Sequence, residues 1–131
     1  MQDYKNLLFW KKSHLLTLEI YNLTKNFPRE EIYGITSQIR RSSVSIPANI
    51  AEGCAKSSNA DFARFLQISL GSTHETDYLL LLSMELNYID IETYKPIYNQ
   101  INEVKAMLLA LHKKVKPAEK NTLNSKPSTL N

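Results

Sequence analysis

The sequence predicts an all-α protein, an antiparallel up-down-up-down bundle of four helices. Its 131 residues include only three glycines and five prolines, too few for a turn-rich β-protein. Apolar residues recur at helical spacing in four segments that are separated by short breaks. An apolar fraction of 43% supplies a core for one domain of this length. Short connections between long helices favour antiparallel neighbours, which gives the bundle its predicted topology.

The first predicted helix covers residues 7–26. One helical face carries its core stripe, which consists of Leu16, Ile20, Leu23 and Phe27. Three more leucines are expected to widen this stripe: Leu8, Leu15 and Leu18. Pro28 ends the helix, because the residue before a proline avoids the α region.

The second predicted helix covers residues 29–55, and Glu30 and Glu31 complement the positive end of its dipole. Its predicted core face carries Ile32, Ile35, Ile39, Ser43, Ile46, Ile50 and Gly53. Pro47 interrupts this helix at a cost of about 3 kcal/mol, because proline removes one backbone hydrogen bond. The carbonyl of Ser43 loses its donor, and we expect the serines at positions 42, 43 and 45 to satisfy the freed backbone groups.

The third predicted helix covers residues 58–86 and has Ser58 or Asn59 as its N-cap. The fourth begins after Asp90, which can cap it, and reaches about residue 116. Its core positions are Tyr94, Ile97, Ile101, Val104, Leu108, Leu111 and Val115. Residues 1–116 are therefore assigned to the bundle. Residues 117–131 have few apolar side chains and no period, which predicts a disordered tail.

Targeting and membrane signals are absent from the sequence pattern. The N-terminal region lacks an apolar stretch of signal-peptide length. The longest apolar run, residues 78–82, is far shorter than the ~20 residues that cross a bilayer. Cys54 is the only cysteine, so an internal disulfide is excluded and a reducing compartment fits. We expect a soluble, cytoplasmic protein that does not contact membranes.

Catalytic and metal-binding patterns are also missing. The three histidines, His14, His74 and His112, do not follow a glutamate at the Glu-x-x-His spacing of di-iron bundles. The sequence contains neither a glycine-rich phosphate loop nor a nucleophile elbow. The sequence therefore predicts no catalytic residue, no cofactor and no metal site, and the protein is expected not to be an enzyme.

The second helix carries small and apolar residues on both of its sides. On a wheel centred on Ile39, the far side holds Val44, Ala48 and Ala55. A helix with two such faces is buried twice, and a bundle of this size has only one core. The candidate subunit interface is therefore Val44, Ser45, Pro47, Ala48, Glu52 and Ala55. The alternative is that these small residues only tune packing within one bundle.

Four basic residues flank this small-residue segment: Arg40, Arg41, Lys56 and Arg64. Repeated around an oligomer, they would form a ring of positive charge, to which phosphate backbones bind with release of counterions. They are the candidate contacts with nucleic acid or another partner. The alternative is that Arg40 and Arg41 form ion pairs between subunits, for instance with Glu52 or Glu75. The net charge of +3 is modest for a dedicated nucleic-acid binder.

Residues 27–53, FPREEIYGITSQIRRSSVSIPANIAEG, resemble the signature of the four-helix bundle proteins known as 23S ribosomal-RNA intervening-sequence proteins. Leu8-x-Trp10 and the segment FARFLQISLGSTHE at 62–75 extend the resemblance to about residues 4–115. The departures are mild. Lys56 stands where the family often has arginine, Ser42 and Ser69 where alanine is frequent, and Thr76 where leucine is common.

This resemblance implies an antiparallel four-helix bundle that assembles as a homopentamer and has no enzymatic activity. Some members of the family are encoded inside insertions in ribosomal RNA genes. The family is also similar to accessory proteins of diversity-generating retroelements, which bind a reverse transcriptase and nucleic acid. We therefore expect a homo-oligomeric scaffold associated with RNA or a ribonucleoprotein. The alternative is a protein–protein interaction module without nucleic-acid contact.

Overall fold

The computed structural model describes residues 3–116, which form four α-helices and no β-strand. The helices are α1 (Leu8–Thr24), α2 (Ile35–Cys54), α3 (Asn59–Glu85) and α4 (Ile91–Val115). Two short 3-10 turns, Tyr4–Asn6 and Arg29–Glu31, precede α1 and α2. The prediction of an all-α protein with four helices is confirmed. The predicted tail, residues 117–131, lies outside the described residues.

The four helices surround one shared apolar core. Each helix packs against its neighbour in sequence, and α1 also packs against α4, which closes the arrangement. The large apolar side chains with no exposed surface come from all four helices: Leu16, Ile20, Ile39, Ile46, Ile50, Leu66, Leu80, Ile101 and Leu108. Burial of such side chains stabilises the fold by about 1.5–3 kcal/mol each.

The core stripe of α1 is narrower than the sequence predicts. Leu16 and Ile20 are fully buried and Phe27 is buried, but Leu8, Leu15 and Leu18 are between 51% and 60% exposed. At 100° per residue, these three leucines lie about 80° to 160° from Leu16 around the helix. The prediction that they widen the stripe is wrong, because α1 contacts only two other helices and its far side faces outward.

The start of α2 also differs from the prediction. Residues 29–31 form the 3-10 turn, and α2 begins only at Ile35. Ile32 therefore lies before the helix, off its core stripe, and is 54% exposed rather than buried. The Glu31 carboxylate caps α2 instead, because Oε1 accepts a hydrogen bond from the Ile35 amide at 3.1 Å. Its Oε2 accepts another from the Tyr88 hydroxyl at 2.7 Å, which ties α2 to the α3–α4 turn.

The boundaries of α3 and α4 follow their predicted caps. The Ser58 side chain accepts a hydrogen bond from the Asp61 amide at 3.1 Å, and Asp90 accepts one from the Thr93 amide at 2.9 Å. Asn87, between the two helices, has a φ of 65°, a left-handed conformation that asparagine tolerates better than most residues. The central core positions of α4 are buried as predicted: Ile97, Ile101, Val104 and Leu108.

Candidate subunit interface and nucleic-acid contacts

Thr17 satisfies the backbone carbonyl that Pro47 leaves without a donor. Its hydroxyl donates to the Ser43 carbonyl at 2.8 Å and also lies 3.1 Å from the carbonyl of Ser13. The expectation that neighbouring serines do this is wrong, because a side chain of α1 is better placed. The Ser43 hydroxyl instead bonds the Arg40 carbonyl one turn earlier. Thr17 is thus a structural residue that periodicity alone did not reveal.

The serines of α2 form a polar seam with α3, here called the hydroxyl seam and made of Ser42, Ser45, Ser69, Ser72 and Thr76. The Ser42 and Thr76 hydroxyls lie 2.8 Å apart, and Ser72 donates to Ser45 at 2.7 Å. The Ser69 hydroxyl donates to the Ile46 carbonyl at 2.9 Å. Small side chains let the two helices approach closely along this seam, and the seam fixes which face of α2 turns outward.

That outward face carries most of the candidate interface. Val44 is 40% exposed, and Arg41, Ala48, Glu52 and Ala55 are also exposed. Ser45 is half-buried because it bonds Ser72 within the hydroxyl seam. Pro47 is buried inside the chain's own bundle, so it lies apart from the other five candidate residues. The five remaining residues form a continuous strip along α2.

The four basic candidates separate into two pairs. Arg40 and Arg41 lie in the second turn of α2, whereas Lys56 follows its end and Arg64 lies in α3. Lys56 follows Arg40 by sixteen positions, which corresponds to about 24 Å at 1.5 Å per residue. One ligand site of ordinary size therefore cannot use all four side chains of a single chain.

The side chain of Arg40 is already engaged by α1. Its Nε donates to the Thr24 hydroxyl at 2.7 Å, and its guanidinium carbon lies 4.7 Å from the centre of the Tyr21 ring. Arg41 is exposed beside it. Both line an open groove of about 420 Å³, together with Tyr21, Ile32, Thr36, Ser37 and Val44. The buried Thr36 hydroxyl has no hydrogen-bond partner within the described residues.

Lys56 and Arg64 both approach Phe65. The Lys56 ammonium lies 5.2 Å from the ring centre of Phe65, and the Arg64 guanidinium carbon lies 4.5 Å from it. Arg64 also stands 4.0 Å from the Asp61 carboxylate, in an exposed pair that contributes little stability. Lys56 lines a second cavity of about 310 Å³ near the end of α4, where Val115 forms part of the wall.

Two observations concern reactive side chains. Burial raises the pKa of the Cys54 thiol, which disfavours the nucleophilic thiolate at neutral pH. Within residues 3–116, no three His, Cys, Asp or Glu side chains are grouped so that they could hold a metal ion.

Over the same residues, none of the helices combines the length and the apolar character needed to cross a membrane.

Known proteins match most of the chain. A family model described as 23S rRNA-intervening sequence protein matches residues 5–110. A crystal structure from Bacteroides thetaiotaomicron VPI-5482, described as a protein with unknown function from the S23 ribosomal protein family, is 33% identical and has a TM-score of 0.74. That match covers 81% of this chain and 99% of the other. A search of curated proteins finds no significant match.

Proposed function

This chain belongs to the 23S rRNA-intervening sequence protein family, and we propose that it is a non-enzymatic, homo-oligomeric scaffold for RNA or a ribonucleoprotein in the cytoplasm. Each copy contributes an antiparallel up-down-up-down bundle, and five copies assemble. The outward face of α2 is the observation that carries this proposal. Val44, Ala48 and Ala55 lie there beside Arg41, exposed in the single chain.

The outward face of α2 supports assembly because Val44, Ala48 and Ala55 give it exposed apolar surface beside the charged Arg41 and Glu52. The neighbouring surface of α3 is similar, since Ile68 is exposed and a Cβ atom added to Gly71 would meet no atom within 4 Å. A second copy can therefore approach both helices closely. The inward face of α2 is buried in its own bundle, and contact with another copy would bury its outward face as well. Such burial stabilises the assembly by roughly 25 cal/mol per Å² of apolar surface.

Basic side chains next to this face support contact with RNA. Arg41 borders the strip, and Lys56 and Arg64 lie beyond its other end. Assembly repeats each of these charges in every copy, and repeated charges strengthen the binding of a phosphate backbone through release of counterions. These residues, together with Arg40, are the proposed contacts.

Two measurements on the wild-type protein test the proposal. Light scattering or sedimentation should give a mass five times the 15.1 kDa of one chain. A titration with single-stranded RNA should show an affinity that falls steeply from about 50 to about 200 mM salt. A monomeric mass at micromolar concentration contradicts the assembly, and absence of binding at the lower salt concentration contradicts the RNA contact.

The second candidate function is a protein–protein interaction module without RNA contact. The groove beside Arg41 favours it, because Ile32 and Val44 offer apolar surface there that phosphates do not need. An oligomer of the expected mass that does not bind RNA at low salt would support this second candidate over the first.

A further inference from the structure

Contacts between distant parts of the chain identify the two ends of the molecule. At one end, Val115 lines a cavity with Gly53 and Phe62, and the turn Tyr4–Asn6 packs against α1 and α2. At the opposite end, the rings of Phe27 and Tyr88 lie 5.5 Å apart. The first end therefore gathers the start of the described chain, the α2–α3 loop and the end of α4.

Charge is strongly segregated between these ends. We divide each helix at its middle and call residues 3–16, 45–72 and 104–116 the basic half. It carries nine Lys and Arg against three Asp and Glu, an excess of six positive charges. The remaining residues, the acidic half, carry five Lys and Arg against nine Asp and Glu, an excess of four negative charges. The modest net charge of the whole chain conceals this separation.

The cations of the basic half are largely available to a partner. Two of the nine form ion pairs: Lys12 lies 2.6 Å from Glu103, and Lys105 lies 3.1 Å from Asp77. Both carboxylates belong to the acidic half. The other seven are exposed: Lys5, Lys11, Lys56, Arg64, Lys113, Lys114 and Lys116. Within residues 3–116, only Arg64 among these seven has a carboxylate within 4.0 Å.

Helix stability accounts for only part of this pattern. Lys113 and Lys114 lie in the last turn of α4, where cations interact favourably with the helix dipole. Lys11 lies in the first turn of α1, near the positive end of that helix. The dipole disfavours a cation there, so helix stability does not account for Lys11. Arg64 lies in the second turn of α3, beyond the turn over which the dipole acts, and stands beside Asp61.

Aromatic rings lie in the same half. Trp10 stacks on His14 with ring centres 4.8 Å apart and an interplanar angle of 10°, and Tyr4 packs edge-on against Trp10. All three residues are half-buried, and Tyr4 and Trp10 also pack against the hydrophobic core, so the rest of their ring surface is what a base can contact. Rings interleaved with cations bind single strands, because bases stack on the rings while phosphates pair with the charges. An acidic protein would need only the charges.

We propose that the basic half is the surface through which this protein holds single-stranded RNA, with phosphates on its seven exposed cations and bases on the rings of Tyr4, Trp10 and His14. This inference rests on the proposed function and refines it. Of the four basic residues named from the sequence, Lys56 and Arg64 belong to this surface. Arg40 and Arg41 belong to the acidic half, where Arg40 is engaged by Tyr21 and Thr24, so on this inference they no longer serve as RNA contacts.

Two triple variants of equal net charge test the surface. Lys113→Gln/Lys114→Gln/Lys116→Gln removes three exposed cations from the basic half, and Lys25→Gln/Arg29→Gln/Lys95→Gln removes three from the acidic half. Both are compared with the wild type by RNA titration at several salt concentrations. The basic-half variant should lose about tenfold or more in affinity, and its salt slope should fall by about 2, since each single-strand phosphate contributes about 0.7. The acidic-half variant should bind nearly as the wild type does.

Trp10, the only tryptophan in the sequence, gives a second readout in the wild type. Its fluorescence should be quenched by RNA as bases stack nearby, and polyglutamate of equal charge should displace RNA poorly. Equal affinity losses in the two triple variants, or unchanged Trp10 fluorescence, would overturn the inference while leaving RNA binding intact. Displacement by polyglutamate as effective as by RNA would also overturn it in favour of an acidic protein. Absence of RNA binding in the wild type would remove the proposed function as well.

Discussion

At the scale of single residues, a proline and a threonine on different helices depend on each other. Pro47 removes the donor for the Ser43 carbonyl inside α2, and the Thr17 hydroxyl replaces it from α1. A buried carbonyl without a partner costs about 1–3 kcal/mol. The interruption of α2 is therefore tolerated because of a tertiary contact, and the helix remains continuous from Ile35 to Cys54.

Thr17→Val should lower the free energy of unfolding by about 1–3 kcal/mol, because valine keeps the shape and leaves the Ser43 carbonyl unpaired. Urea denaturation followed by circular dichroism measures this change. Thr36→Val is the matched control, since Thr36 is also buried but its hydroxyl has no partner within residues 3–116. We expect that control to be neutral or stabilising. Equal losses for both variants would show that the Thr17 bond is unimportant.

A double-mutant cycle with Pro47→Ala tests the coupling directly. Alanine at position 47 supplies the missing amide, so Thr17→Val should cost less in that background than in the wild type. Additive effects of the two substitutions would contradict the assignment of Thr17 as the replacement donor.

Glu31→Gln should lower the free energy of unfolding at neutral pH. It should also make that free energy depend less on pH in the acidic range. The hydrogen bond from Tyr88, followed by the one from the Ile35 amide, holds the pKa of Glu31 below its usual value. A lowered pKa stabilises the fold above the unfolded-state pKa of about 4.3, and this contribution is lost as pH falls through the folded-state pKa. The stability gap between wild type and variant, measured by urea denaturation, should therefore shrink below about pH 4.3.

The control for this pH experiment is Glu30→Gln, which removes a neighbouring exposed charge that makes no hydrogen bond within residues 3–116. A stability gap that stays constant from neutral to acidic pH would count against the cap formed by Glu31. At alkaline pH the same hydrogen bond acts in the opposite direction. It raises the pKa of Tyr88, so its contribution is lost as pH rises through that raised value.

At the scale of elements, the close pairing of α2 and α3 is the central packing feature. The hydroxyl seam connects the middle of α2 to the middle of α3. Near the end of α2, Gly53 lies against Phe62 and Phe65 at the start of α3. A Cβ atom on Gly53 would lie 2.9 Å from Cδ1 of Phe62 and 3.0 Å from Cβ of Phe65. The backbone of α2 can approach α3 this closely only because position 53 lacks a side chain.

Gly53→Ala should destabilise the protein by about 1–3 kcal/mol through overpacking, although alanine favours the helical state by about 1 kcal/mol. Gly71→Ala is the control in the same pair of helices, because its added Cβ meets no atom within 4 Å. It should raise the stability of the bundle of a single chain by about 1 kcal/mol, because the added Cβ meets no atom of that chain. Thermal unfolding measures both, and a stabilised Gly53→Ala variant would contradict the close approach of the helices.

At the scale of the whole molecule, the outward face of α2 and the segregated charges imply separate roles for separate surfaces. The strip from Arg41 to Ala55 serves assembly, and the basic half serves RNA. The exposed cations of the basic half that lie nearest the strip are Lys56 and Arg64, just beyond its end at Ala55, so RNA held by one copy lies close to its neighbour. Binding and assembly are therefore expected to reinforce each other, because every added copy adds cations along the same strand.

Val44→Glu should dissociate the oligomer, because a carboxylate would replace the apolar Val44 side chain and lose its hydration when buried between copies. Leu18→Glu is the matched control, since Leu18 is an apolar residue that is 51% exposed on the outward side of α1. We expect a fall in mass toward 15.1 kDa for Val44→Glu only, with the helical content of both variants unchanged. Retention of the full mass by Val44→Glu would place the interface elsewhere.

The sequence by itself determined the four helices, the cap at Asp90 and the central core positions of α4, because helical periodicity and capping chemistry are local. Locality also explains the errors: Pro28 and two glutamates match a helix start, yet a 3-10 turn forms there and exposes Ile32. Only the tertiary structure decided that Thr17 satisfies Ser43, that Leu15 and Leu18 face outward, and that cations from three distant segments share one half. Those features depend on which elements lie side by side, and spacing along the chain does not encode distances between helices.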